Sequence, residues 1–152
     1  MKVTIYTDGS SRGNPGPGGY GTILIYENLR KELSGGFRYT TNNRMELLSV
    51  IIGLEKLKKE NLDIIVYSDS KYVVDSVEKG WLFNWIKDKN FKGKKNRDLW
   101  ERFLKSYKKQ NVKFIWVKGH SDNEENNNCD RLAVEASYGD VKIDVEYEKN
   151  RK

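Results

Sequence analysis

Four acids are spaced so that their carboxylates could act together. Asp8 follows the alternating run KVTIYT and precedes Gly9, which is expected to stop a strand there, and Asp69 closes the strand-like run IIVYSDS. Glu46 lies in the first turn or so of an apolar helical pattern, and Asp130 follows a polar loop. Carboxylates brought to one edge of a sheet repel one another unless a cation holds them, so the set points to divalent metals. Each acid alone has an ordinary alternative. Asp8 and Asp69 suit turns, Glu46 is favoured by the helix dipole, and Asp130 suits an exposed helix surface.

A second group has the types that hold a polyanion. Gly80 to Arg97 (GWLFNWIKDKNFKGKKNR) gathers Lys87, Lys89, Lys92, Lys94, Lys95 and Arg97 around Trp81, Trp85 and Phe91, with Asp88 opposing. Cations grip a phosphate backbone without reading its sequence, and aromatics pack against sugars. The alternative is a solvated loop, with Trp81 and Trp85 at i and i+4 on one helix face as core residues. The whole chain leans the same way, because 28 Lys and Arg against 22 Asp and Glu leave a net charge of +6, a bias toward polyanions.

The elements that must position these groups follow from periodicity. Tyr20 to Tyr26 (YGTILIY) reads as a second strand, and Lys31 to Tyr39 (KELSGGFRY) as its antiparallel return, with Gly35 and Gly36 marking a bulge. Gly16 to Gly21 has the glycine spacing of a dinucleotide-binding loop, but a strand follows where that motif needs a helix. From Asn42 the period changes: Leu47, Val50, Ile51, Leu54 and Leu57 form a helical stripe that Asn42 or Asn43 could cap. Gly53 within it costs about 1 kcal/mol against alanine, which a close approach of helix to sheet would compensate.

Asp63 to Ser68 is a continuous apolar strand, followed by a helix over Ser70 to Lys79. Asn96 can cap a helix reaching Tyr107, Val112 to Val117 is a strand, and Glu124 to Tyr138 is the last helix. In the tail, Val141, Ile143, Val145 and Tyr147 alternate with charged residues, fitting an edge strand or a loose end. The expected fold class is α/β, a mixed five-stranded sheet with helices on its faces.

At 152 residues one domain suffices, and 37% hydrophobic residues fill a packed core. Cys129 is the only cysteine, which excludes an internal disulfide. Neither a signal-peptide core nor a run of about 18 apolar residues is present, so a cytoplasmic protein with no membrane attachment is expected.

Five motifs, TDGSSRGNPGPGGYG, TNNRMEL, YSDSKYV, WVKGHSDNEEN and NNCDRLA, occur in the order found in type 1 ribonucleases H, which the chain resembles from about Lys2 to Ser137. The resemblance implies the ribonuclease H-like fold and an endonuclease that cuts the RNA strand of an RNA–DNA hybrid, leaving 3′-hydroxyl and 5′-phosphate ends. It further implies two Mg²⁺ ions, with Mn²⁺ as an alternative, held by Asp8, Glu46, Asp69 and Asp130. The physics agrees: Mg²⁺ takes oxygen ligands and keeps waters, and two ions about 4 Å apart suit an in-line displacement.

By the same resemblance His120, the only histidine, assists proton movement or product release, a task for a group with a pKa near neutrality. Asn14, Asn42 and Asn43 contact the hybrid, where amides suit minor-groove edges and 2′-hydroxyls, and Thr41 contacts a DNA phosphate. Asn42 and Asn43 equally suit caps, and Asn14 a turn. Lys71 is assigned to substrate as well, standing where relatives often carry glutamine. Residues 80–97 match the basic protrusion that grips the DNA strand, which assigns Trp81, Trp85, Lys87, Lys89, Lys94 and Lys95 to substrate.

The resulting expectation is a monomeric catalytic domain over residues 1–138 with a tail at 139–152. A non-catalytic hybrid or duplex-RNA binding module is the rival, needing the asparagines and the protrusion but not all four acids. An integrase or resolvase of the same fold is another, but would not share TNNRMEL and GNPGPGGYG.

Overall fold

The computed structural model describes residues 2–87, 94–119 and 123–150. Val3, Ile5 and Thr7 bury one side of the first strand, β1 (Lys2–Ser11), which continues through Gly9 instead of stopping there. Gly9, Ser10 and Ser11 pair with Tyr20, Gly19 and Gly18 of β2 (Gly16–Tyr26). What Gly9 supplies is room, since a Cβ there would lie 2.3 Å from backbone atoms of Met45 and Glu46.

β3 (Leu29–Thr40) completes an antiparallel meander with β2. The bulge expected at Gly35 and Gly36 is absent, for both pair regularly, and the register shifts instead between Gly16 and Gly18.

Helix α1 (Asn42–Glu55) follows, capped by Thr41, whose Oγ1 accepts the Arg44 N–H at 3.2 Å. The cap is thus one residue before Asn42 and two before Asn43, which leaves the amides of both uncommitted to capping. Next come β4 (Asp63–Ser68), α2 (Lys71–Glu78), α3 (Trp81–Lys87), α4 (Arg97–Tyr107) and β5 (Asn111–Trp116). Then α5 (Glu124–Tyr138), β6 (Val141–Lys142) and α6 (Val145–Asn150) end the described chain.

The sheet order is β5-β4-β1-β2-β3-β6, with β4 parallel to β1 and to β5. There are six strands rather than five, because two residues of the tail pair in parallel with Gly36 and Phe37 at the β3 edge. The rest of the tail departs from its alternating pattern. Ile143 and Val145 stay exposed, whereas Asp144 is buried.

Side chains on successive strand residues point to opposite faces, which splits the core. On one face Ile5, Leu24 and Val66 meet Leu47, Val50, Ile51 and Leu54 of α1, with Trp100 and Phe103 of α4 closing the cluster. Gly53 brings helix and sheet together as expected: a Cβ would lie 2.9 Å from Ile5 Cγ2. On the other face α5 lies on the meander, so closely that a Cβ on Gly21 would be 2.2 Å from the Cys129 carbonyl oxygen. Among the described residues no helix is long and apolar enough to cross a membrane.

Candidate active site

Tyr6 of β1 and Tyr67 of β4 are register partners in adjacent parallel strands, with rings stacked 5.0 Å apart. Asp8 and Asp69 each follow that pair by two residues, so their carboxylates leave the sheet at matching positions. Thr7 Oγ1 donates to the Tyr67 carbonyl at 2.9 Å and ties the two strands together just before the acids.

Glu46 arrives from α1. Ser49 Oγ donates to the Glu46 carbonyl, and Thr22 Oγ1 donates to the Ser49 carbonyl, each at 2.6 Å, pinning this turn to β2. The Gly9 N–H donates to Asp8 Oδ1 at 2.9 Å and also to Glu46 Oε1, so one backbone amide orients both acids.

Ligand oxygens of Asp8, Glu46 and Asp69 all lie within 4.8 Å of one another. Asp8 is 7% exposed and Glu46 5%, so neither is solvated like a surface carboxylate. Burial pushes the Asp8 carboxyl up to about 8, with the charges of Asp69 and Asp130 adding, against hydrogen bonds from Glu46 and Gly9. Burial likewise raises Glu46 well above the ordinary carboxylate range, and the charges of Asp8 and Asp69 add to it.

A divalent cation fits this donor set. The ligands are oxygens only, as hard cations require, and Asp69 Oδ1 is buried with no hydrogen-bond partner. Asp130 lies half-buried on α5, outside the tight trio, and its charge acts on Asp8. Asn126, one turn earlier, holds α5 against β1 by donating Nδ2 to the Thr7 carbonyl at 3.1 Å.

The residues assigned to substrate do not share one place. Asn14, Thr41, Asn43, Lys94 and Lys95 line one cavity of about 710 Å³, and the Asn14 side chain accepts the Asn42 N–H at 3.1 Å. Lys71 lies apart from that cavity, at the start of α2 beside Asp69, with its Nζ 4.9 Å above the Trp116 ring. Trp116 Nε1 donates to the Asp69 carbonyl at 3.0 Å.

The two tryptophans of α3 differ. Trp81 is 43% exposed under Lys79, whereas Trp85 is half-buried, edge-on to Trp100 and beneath Lys94 at 5.4 Å. Lys87 is the exposed last residue of α3, and His120 and Lys89 lie outside the described residues.

The sequence reading missed Arg44, which lies two residues before Glu46 and is buried. Its Nε donates to Asp144 Oδ2 at 2.8 Å, and Nη2 to Asp144 Oδ1 at 2.9 Å and Asp98 Oδ2 at 2.7 Å. Nη1 donates to Asp98 Oδ1 at 2.9 Å and Asn96 Oδ1 at 3.3 Å. These five bonds use all the N–H donors a guanidinium has. Asn96 precedes α4 as expected but makes no side-chain cap, because its amide serves Arg44 and the Tyr72 hydroxyl. The available signal was a cation directly before Met45, two residues from Glu46, in the first turn of α1.

Comparison with known proteins agrees with this geometry. A profile of the RNase H family matches residues 1–138. A ribonuclease H of Desulforamulus reducens is 55% identical over 140 residues, 90% of this chain and 87% of the relative. LC9-RNase H1, described as a type 1 RNase H with the type 2 active-site motif, has a TM-score of 0.82 at 29% identity, covering 99% of this chain and 81% of that one. LC11-RNase H1 in complex with RNA/DNA hybrid gives 0.62 at 27% identity, covering 90% and 96%. A mixed sheet carrying converging acids defines the class, and the chain belongs to the ribonuclease H family.

Proposed function

We propose that this chain is an endonuclease hydrolysing the RNA strand of RNA–DNA hybrids, with products ending in 3′-hydroxyl and 5′-phosphate. The observation that carries the reading is the convergence of the mutually repelling Asp8, Glu46 and Asp69, the first two buried, in a member of this family. Asp8, Glu46, Asp69 and Asp130 hold two divalent ions, Mg²⁺ with Mn²⁺ as a substitute. Bound there, the ions supply activation of a water and charge stabilisation at the leaving oxygen.

The chain's own residues do the rest. The Gly9 N–H fixes the orientation of Asp8 and Glu46, and the burial of both keeps bulk water from competing for their oxygens. His120 moves a proton or helps release product. Asn14, Asn42 and Asn43 address groove edges and 2′-hydroxyls, which select RNA, while Thr41 takes a DNA phosphate.

Lys71, Lys87, Lys89, Lys94 and Lys95 hold backbone phosphates, and Trp81 and Trp85 pack against sugars. Such contacts read shape rather than bases, so cleavage has little sequence preference. The catalytic unit is residues 1–138, including the basic protrusion at 80–97, and it works as a monomer in the cytoplasm.

A cleavage assay with Mg²⁺ on matched hybrid, duplex RNA and duplex DNA tests this reading, with the product ends mapped. Cleavage confined to the RNA strand of the hybrid is expected. Tight hybrid binding without cleavage would make the chain a binding module instead.

A further inference from the structure

The C-terminal segment carries a role that neither the acids nor the protrusion explains. The family profile ends at residue 138, yet the chain beyond it is fastened to the substrate side of the molecule. Asp144, 8% exposed, receives two bonds from Arg44 and a third from Thr40 Oγ1 at 2.7 Å. Glu148 accepts Arg38 through both oxygens, at 2.8 and 2.9 Å. The Tyr147 ring lies 5.7 Å from the Tyr39 ring and 5.8 Å below the Arg44 guanidinium.

These fastenings meet at one cavity. Tyr147 lines the same space of about 710 Å³ as Asn14, Thr41, Asn43, Lys94 and Lys95. One side of that space is the start of α1, and the other is the chain entering α4. Arg44 spans the two, bonded to Asp98 of α4 while anchored from below by Asp144. A planar guanidinium saturated on both sides fixes a distance, because it has no donor left with which to adopt another arrangement.

We infer that the segment Val141–Asn150 is a positioning strap for the DNA strand of the hybrid: Asp144, through Arg44, sets the spacing between Asn14 and Thr41 on one side of the cleft and Lys94 and Lys95 on the other, and Tyr147 forms its wall. The proposal rests on the reading that this cleft takes a nucleic-acid strand. Asp144 and Tyr147 are positioning residues, remote from the reacting phosphate, so they act on substrate binding and leave the chemical step alone.

The test compares wild type, Asp144→Asn and Tyr147→Ala on one short RNA–DNA hybrid. It measures kcat and KM with Mg²⁺, the dissociation constant without metal, and the drop in affinity when single DNA-strand phosphates become neutral methylphosphonates. For both variants KM and the metal-free dissociation constant should rise about fivefold while kcat stays within about twofold. The methylphosphonate penalty should shrink at the one or two positions where wild type shows it most.

A merely structural tail predicts otherwise: a lower melting temperature with KM, affinity and the methylphosphonate pattern unchanged, which overturns the proposal. Should Asp144→Asn not fold, Tyr147→Ala leaves every ion pair in place, and a wild-type KM there is equally decisive. A wild type that binds no hybrid overturns the reading of the cleft, and the strap with it, before any variant is compared.

Discussion

Two clusters of buried charge are built on the first turns of one helix, two residues apart, and they are balanced in opposite ways. Arg44 meets Asp98 and Asp144 with every donor used, so the cluster is complete within the chain. Glu46 meets Asp8 and Asp69, and the charges acting on it are of its own sign. Burial of like charges without a counter-ion raises their proton affinity and costs stability, whereas burial of a fully bonded pair holds distant segments in register. The acid cluster asks for a cation from outside. The arginine cluster needs none.

Charge removal should therefore have opposite consequences at the two places. Glu46→Gln keeps the shape of the side chain while removing repulsion, so metal-free stability should hold or rise as cleavage falls by several orders of magnitude. Arg44→Ala leaves buried Asp144 and half-buried Asp98 without the cation they share and should cost about 3–5 kcal/mol. Urea denaturation with parallel cleavage rates checks both, and matching signs of the stability change would erase the distinction.

The pH dependence should separate the clusters next. Asp8 and Glu46 hold protons more tightly folded than unfolded, so their favourable contribution is complete below the ordinary carboxylate value of 3.8. For Asp8 it is lost as pH climbs toward about 8, and the Glu46 contribution is likewise lost as pH rises. Asp98 runs the other way: despite its partial burial, Arg44 holds its carboxyl below the usual range, so its contribution exists at higher pH and disappears on acidification. Metal-free melting curves should accordingly show Glu46→Gln relieving the decline as pH rises. A substitution at Asp98 should relieve the decline in acid.

The smallest effect belongs to the exposed cations, which serve neither cluster. Replacing Lys87, Lys94 and Lys95 by alanine should weaken hybrid binding and reduce its salt slope by about 0.9 for each phosphate left without a cation, with stability nearly unchanged. Affinity measured across a salt series decides this, and an unaltered slope would make the segment a solvated loop.

The two clusters were unequally legible in the sequence. Asp8, Glu46 and Asp69 announce themselves because two strand patterns and a helix start locate them and ordered motifs surround them, although Asp8 lies within β1 rather than at its end. Arg44 finds Asp98 54 residues away and Asp144 100 residues away, and no local period reports such a pairing. The tail was open for the same reason: alternation fits an edge strand or a loose end, and neither shows that the buried guanidinium selects Asp144. Gly9 looked like a strand stop, while its actual constraint is the backbone of α1 lying against it. Thr41 took the cap expected of Asn42 or Asn43, a difference of one or two residues that residue preference alone does not resolve.

On the function proposed above, the acids beside Gly9 form an incomplete site that divalent cations finish. The most direct measurement titrates Mg²⁺ into wild type and Asp69→Asn without substrate, following the melting temperature, and then adds hybrid and records the cleavage rate in the same solutions. Asp69 Oδ1 is a buried oxygen with no protein partner, so its loss should abolish the metal-induced rise in melting temperature and reduce cleavage by several orders of magnitude. The variant should meanwhile melt no lower than metal-free wild type. Near-normal cleavage by Asp69→Asn, or a variant that melts well below metal-free wild type, would contradict the assignment.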